Sequence, residues 1–193
     1  MDTGQWNGIQ ALIFDVDGTL ADSMPVHLAA WQEAANKYAF PFTPEDHLRY
    51  AGKADRAIVR EINHEHGLNL SAEDVAHAKE AAFLQNLHQV QPINPITALV
   101  KKFYGHKPVA AGTGGFRHIA EEVLKHIGLR NYLDVLVTAD DVKNYKPAPD
   151  TFLLCAEKMG IEPEACLVFE DAELGFEAAA NAGMHVIDVR PFV

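Results

Sequence analysis

Two carboxylates two residues apart, Asp15 and Asp17, close the apolar run Ala11-Leu12-Ile13-Phe14 and are followed by Gly18, Thr19 and Leu20. Where such a run is a buried strand, its carboxyl end is the place an open α/β sheet offers to ligands, and a glycine there lets backbone NH groups come close to an anion. Asp and Gly are also ordinary turn residues, so the motif gains weight only from its company. Thr113-Gly114 follows the weaker run Val109–Gly112 and precedes a helical segment, which sets a hydroxyl and free NH groups before a helix N-terminus. Taken alone, that threonine would be an N-cap. Lys146 lies in Lys146-Pro147-Ala148-Pro149-Asp150, and Glu170-Asp171 ends the run Cys166-Leu167-Val168-Phe169. Four carboxylates at one sheet edge repel one another, and a hard divalent cation with oxygen ligands, Mg²⁺ by preference, resolves the conflict.

The elements that must position these groups follow from the hydrophobic pattern. Residues 11–14, 135–137, 166–169 and 185–187 are continuous apolar runs, as expected of strands buried on both faces, with 109–112 a weaker fifth. Helical segments at 116–127, 150–159 and 172–182 alternate with them and end at Gly128, Gly160 and Gly183. This predicts an α/β fold with a Rossmann-like parallel sheet core. Residues 21–92 break the alternation and offer helices only: one capped by Asp22 or Ser23, with Pro25 in its first turn and running through Trp31 to about Tyr38, a shorter one near 55–65, and one opened by Ser71-Ala72-Glu73-Asp74 and reaching about His88. The expected organisation is a core of residues 1–20 and 93–193 with an inserted all-α helical cap at 21–92. The prolines of Pro92-Ile93-Asn94-Pro95 suit a linker where the insertion returns.

In their order, Asp15-Val16-Asp17-Gly18-Thr19-Leu20, Thr113-Gly114, Lys146 to Asp150 and Glu170-Asp171 resemble the four motifs of the haloacid dehalogenase superfamily of phosphohydrolases. The position of the insertion resembles the helical cap of β-phosphoglucomutases and small sugar-phosphate phosphatases, and the run from Lys146 to Gly160 is similar to bacterial fructose-1-phosphate phosphatases. The resemblance implies Asp15 as nucleophile forming an aspartyl-phosphate, Asp17 as general acid and then base, and Thr113 with the amides of Gly114, Asp17 and Gly18 on the phosphoryl oxygens. It implies Lys146 as a charge clamp and Mg²⁺ on Asp15, Glu170, Asp171 and the backbone carbonyl of Asp17. In the cap it implies substrate contacts from His27, which meets Asp17 on closure, from Lys79, and from the loop Gly52, Lys53, Asp55 and Arg56. β-Phosphoglucomutases place an arginine where this chain has Asp55, and a Ser-Lys-Asn run where it has Gly115-Phe116-Arg117. A carboxylate there repels a second phosphate, which favours hydrolysis of a small sugar monophosphate, fructose 1-phosphate first, over the alternative of a mutase in which Arg56 or Arg117 takes over.

Composition excludes other classes. Sixteen Lys and Arg against 27 Asp and Glu give a net charge of −11, so neither nucleic acid nor a membrane surface is an expected partner. Two cysteines make no disulfide framework or zinc knuckle, and the N-terminal stretch lacks a basic and an apolar targeting region. The expectation is a cytoplasmic monomer whose partner is a phosphorylated sugar.

Overall fold

The computed structural model of the chain describes residues 6–192, so the first five residues assigned to the core lie outside the described residues. Strands follow in chain order as β1 (Ala11–Phe14), β2 (Ala21–Asp22), β3 (Gln91–Pro92), β4 (Val109–Gly112), β5 (Val135–Val137), β6 (Cys166–Glu170) and β7 (His185–Asp188). Five of them form one sheet in the order β5-β4-β1-β6-β7, every pairing parallel. The fold is α/β and Rossmann-like.

The helices of this core are α5 (Asn94–Phe103), α6 (Arg117–His126), α7 (Asp150–Met159) and α8 (Glu173–Asn181). The central strand β1 is wholly apolar because helices cover both its faces. Leu12 and Phe14 pack with Ile96 and Val100 of α5 and Leu124 of α6, whereas Ala11 and Ile13 pack with Phe152 of α7 and Ala178 of α8. Each large side chain so enclosed contributes about 1.5–3 kcal/mol by leaving water. Phe14 also stacks on Phe169 of β6 at 4.5 Å, which ties together the two strands whose ends carry most of the carboxylates.

Three expectations need correction. β7 is not buried on both faces: it is the sheet edge, and His185 and Val186 are exposed. The segment after Pro92 is not a linker, because Pro95 falls in the first turn of α5, where its missing N–H breaks no helical bond. The last helix of the insertion stops at Gln85 rather than His88, and a short 3₁₀ turn carries Leu87–Gln89.

The insertion holds α1 (Met24–Tyr38), α2 (Pro44–Arg49), α3 (Asp55–His66) and α4 (Ala72–Gln85). They enclose their own cluster of Trp31, Tyr50, Ile58, Val59, Ile62 and Val75. Six residues give α2 no readable periodicity; a reciprocal cap between Thr43 and Asp46, with Pro44 in the first turn, starts it. The chain leaves and re-enters the core through β2 and β3, which pair antiparallel with Ala21 opposite Pro92 and Asp22 opposite Gln91. The two crossings are thus hydrogen-bonded side by side. Among the described residues no helix is long and apolar enough to cross a membrane.

Candidate active site

Three neighbouring strands deliver the site. β1 leads into Asp15, β6 ends at Glu170, and β4 leads into Thr113, all buried. Lys146 reaches the same point from the loop before α7, with its side chain fully enclosed and Nζ at 2.6 Å from Asp15 Oδ1 and 2.7 Å from Glu170 Oε2. Burial alone would push this ammonium toward the neutral amine, but the two carboxylates more than offset it and hold its pKa above the usual value. Burial and the neighbouring Glu170 push the pKa of Asp15 well above the ordinary carboxylate range, against the attraction of Lys146. Even with one lysine embedded, the cluster carries more negative charge than it can compensate.

Asp15, Glu170 and Asp171 each offer an oxygen within 4.8 Å of the others. Burial, followed by the charge of Glu170, pushes Asp171 up to about 7. A hard, oxygen-only donor set under mutual repulsion is the chemistry that fits a divalent cation. Its supports escaped the motif reading. Thr19 Oγ1 donates to Asp171 Oδ1 at 2.9 Å, and the amides of Asp171 and Ala172 both donate to Glu170 Oε1 at 3.1 Å. Gly175 of α8 leaves the space that Glu170 fills, since a Cβ there would lie 2.0 Å from the Glu170 carboxyl carbon. Only a glycine at 175 leaves room for this carboxylate to reach Lys146.

Asp17 belongs to a different environment. Its side chain is not part of the acidic cluster and turns toward the insertion, accepting from Ser23 Oγ at 2.6 Å and meeting His27 Nε2 at 3.0 Å. Ser23 was expected to cap α1; its hydroxyl serves Asp17 instead, and the helix starts without a side-chain cap. Lys79 Nζ lies 2.9 Å from His27 Nδ1 and 2.9 Å from Asp55 Oδ2. An ammonium can only donate, so Nδ1 accepts and Nε2 carries the proton given to Asp17. Burial favours the neutral Asp17 acid, yet the hydrogen bonds from His27 and Ser23 and the charge of Lys79 outweigh it and hold the carboxyl below its usual range. Two carboxylates two residues apart therefore have opposite protonation tendencies.

Thr113 and Gly114 line the same cleft. The Gly115 amide donates to Thr113 Oγ1 at 3.0 Å, which leaves the hydroxyl proton free to point elsewhere. One expected anion contact is taken: the Gly18 amide donates to Ala21 O at 2.8 Å and is not available to a phosphoryl oxygen. Gly18 is needed for another reason. At φ +87°, a Cβ would collide with the Asp171 carboxylate at 2.2 Å.

The loop of the insertion lies directly on the core. A Cβ on Gly114 would stand 2.3 Å from the carbonyl oxygen of Gly52, so the two backbones touch. Gly52, Lys53, Asp55, His27 and Lys79 all line the cleft; Arg56 does not. Arg56 is bound to Glu73 and stacks over Phe116, with its guanidinium carbon 4.0 Å from the ring centre. Arg117 likewise turns to Asp141 at 2.6 Å. Of the cleft cations, Lys53 is held by both oxygens of Glu61 at 2.7 Å and Lys79 by Asp55. His47, Trp31 and Tyr50 also line the cleft, and no sequence motif pointed to them.

The profile of haloacid dehalogenase-like hydrolases matches residues 12–189. The chain is 43% identical over 180 residues to fructose-1-phosphate phosphatase YqaB of Escherichia coli, covering 93% of this chain and 95% of that protein. It is 32% identical to a phosphorylated carbohydrates phosphatase of Thermotoga maritima, over 93% of this chain and 84% of that one. The β-phosphoglucomutase structure of Clostridium difficile superposes with a TM-score of 0.83 at 24% identity, covering 93% of this chain and 84% of its own, which establishes likeness of fold alone.

Proposed function

The chain belongs to the haloacid dehalogenase-like hydrolase family, and from that premise we propose that it is a Mg²⁺-dependent phosphatase of small sugar monophosphates, with fructose 1-phosphate its foremost substrate and the cytoplasm its place of work. The observation that carries this reading is the division between Asp15, clamped at 2.6 Å by Lys146, and Asp17, held in separate surroundings by Ser23 and His27. Adjacent carboxylates with separated environments take separate roles.

Asp15 attacks phosphorus in line, forming the P–O bond of an aspartyl-phosphate as the bond to the sugar oxygen breaks. Lys146 offsets charge on the Asp15 side, while Thr113 and the amides of Asp17 and Gly114 donate to the phosphoryl oxygens. A phosphoryl dianion beside Asp17 opposes its ionised form and raises its pKa, so Asp17 gives its proton to the departing sugar oxygen. It then takes one from the water that opens the acyl phosphate. His27, oriented by Lys79 and Asp55, holds Asp17 toward the leaving group. When bound at Asp15, Glu170 and Asp171, Mg²⁺ supplies positive charge against the transferring phosphoryl group.

Hydrolysis is preferred over isomerisation because the roof offers a second phosphate no unpaired cation: Lys79 is neutralised by Asp55, Lys53 by Glu61, and both Arg56 and Arg117 face elsewhere. With Mg²⁺ present and no bisphosphate added, the protein should release phosphate from fructose 1-phosphate faster than from hexose bisphosphates or carboxylated phosphoesters. Release at the buffer rate from every ester in such a panel contradicts the reading.

A further inference from the structure

His47 sits on α2 in the wall of the cleft, and the reading above gives it no role. Its Nε2 lies 3.1 Å from the carbonyl oxygen of Met24. A carbonyl only accepts, so Nε2 carries the ring proton and donates it. Burial, reinforced by the Lys79 ammonium and opposed by the bond to Met24 and by Asp17, pushes the ring down to about 4. Nδ1 is then a bare lone pair at neutral pH. It has no partner among the described residues, yet it is not one of the sealed polar atoms left unsatisfied, which are Arg56 Nη1 and Glu80 Oε1. An atom that is neither bonded nor sealed keeps contact with open space, and the cleft is a space that His47 lines.

The lysines and the tyrosine of this wall are committed. Lys79 and Lys53 are paired, and the Tyr50 hydroxyl turns away to Glu65 at 3.1 Å. An unprotonated imidazole nitrogen repels a phosphate or carboxylate oxygen and accepts from an alcohol, so its complement is a sugar hydroxyl. We propose that His47 is a specificity-determining residue, its Nδ1 accepting a hydrogen bond from a hydroxyl of the leaving group and so selecting phosphoesters whose leaving group is uncharged and polyhydroxylated. This deepens the phosphatase reading and rests on it.

The test compares kcat/KM for fructose 1-phosphate with that for p-nitrophenyl phosphate, whose leaving group has no spare hydroxyl once phosphorylated. His47→Phe keeps a ring but no acceptor, and the ratio should fall by roughly 10- to 100-fold. His47→Gln, with an amide that can donate to Met24 and accept from the sugar, should restore most of it. An equal loss on both esters, or an unchanged ratio in folded His47→Phe, overturns the proposal. Monodeoxy analogues of fructose 1-phosphate give the same answer on the unaltered chain: one deletion should cost a similar factor, and a flat response across the series overturns it. Failure of the underlying reading has a different signature, no phosphate from either ester with the unaltered protein.

Discussion

Asp15→Asn should reduce phosphate release by roughly 10³-fold or more while leaving the protein folded. The amide keeps the shape of the carboxylate and an oxygen for Lys146, but its neutral oxygen is too weak a nucleophile to open a phosphomonoester. Removing one charge from a cluster already overloaded with carboxylates also relieves repulsion, which protects the metal-free fold against the loss of the ion pair. Initial rates and thermal melts read the two halves of the prediction. Acid-quenched protein should carry a phosphoryl group on Asp15 in the unaltered chain and none in the variant. Turnover above a tenth of the original rate would place the nucleophile elsewhere.

Removing divalent cations should have an effect of comparable size, and restoring Mg²⁺ should reverse it. The acidic cluster adds a pH signature. The folded pKa of Asp171 is raised from 3.8 to about 7, and Asp15 moves the same way. An acid with a raised folded pKa costs stability when ionised: the penalty is absent below the unfolded value near 4, grows as pH rises, and is complete above about 7. Asp46, Asp141 and Asp188 are shifted down and act in the opposite sense, so the overall pH trend is a sum. The increment due to Mg²⁺ isolates the cluster. The rise in melting temperature on adding Mg²⁺ should be larger at pH 8 than at pH 5, where Asp171 is mostly protonated and competes with the ion. An equal rise at both values, or full activity in a chelator, contradicts this placement of the cation.

The carboxylates proposed to act on phosphate were legible in the chain, because they follow or end apolar runs that form strands. The groups that hold them were not. Ser23 reads as a helix cap, Thr19 as a turn residue and Gly175 as an unremarkable helix position; their partners are Asp17, Asp171 and Glu170, and the pairs Thr19–Asp171 and Gly175–Glu170 join different elements. Gly18 was read as an anion contact, yet its amide closes a turn and its missing Cβ makes room for Asp171. Within the fold, two-residue strands and the six-residue α2 are too short for periodicity to register, and Pro95 looks like a breaker until its place in the first turn of α5 is known. Arg56 looks like a ligand from its place in the loop. Only the position of Glu73 reveals that its guanidinium is engaged outside the lining of the cleft.

The central claim is that the phosphoryl group passes from sugar to Asp15 to water. A mutase with the same fold would return it to a second sugar oxygen, which requires the cap to retain a doubly phosphorylated intermediate. One charge-assisted bidentate contact is worth roughly 1.5–3 kcal/mol, so a roof whose cations are all paired shifts that partition by about one to two powers of ten. The measurement is the ratio of inorganic phosphate to glucose 6-phosphate formed from β-glucose 1-phosphate with a bisphosphate activator and Mg²⁺. Phosphate in large excess is the expected result; predominant glucose 6-phosphate with little phosphate release would contradict the account.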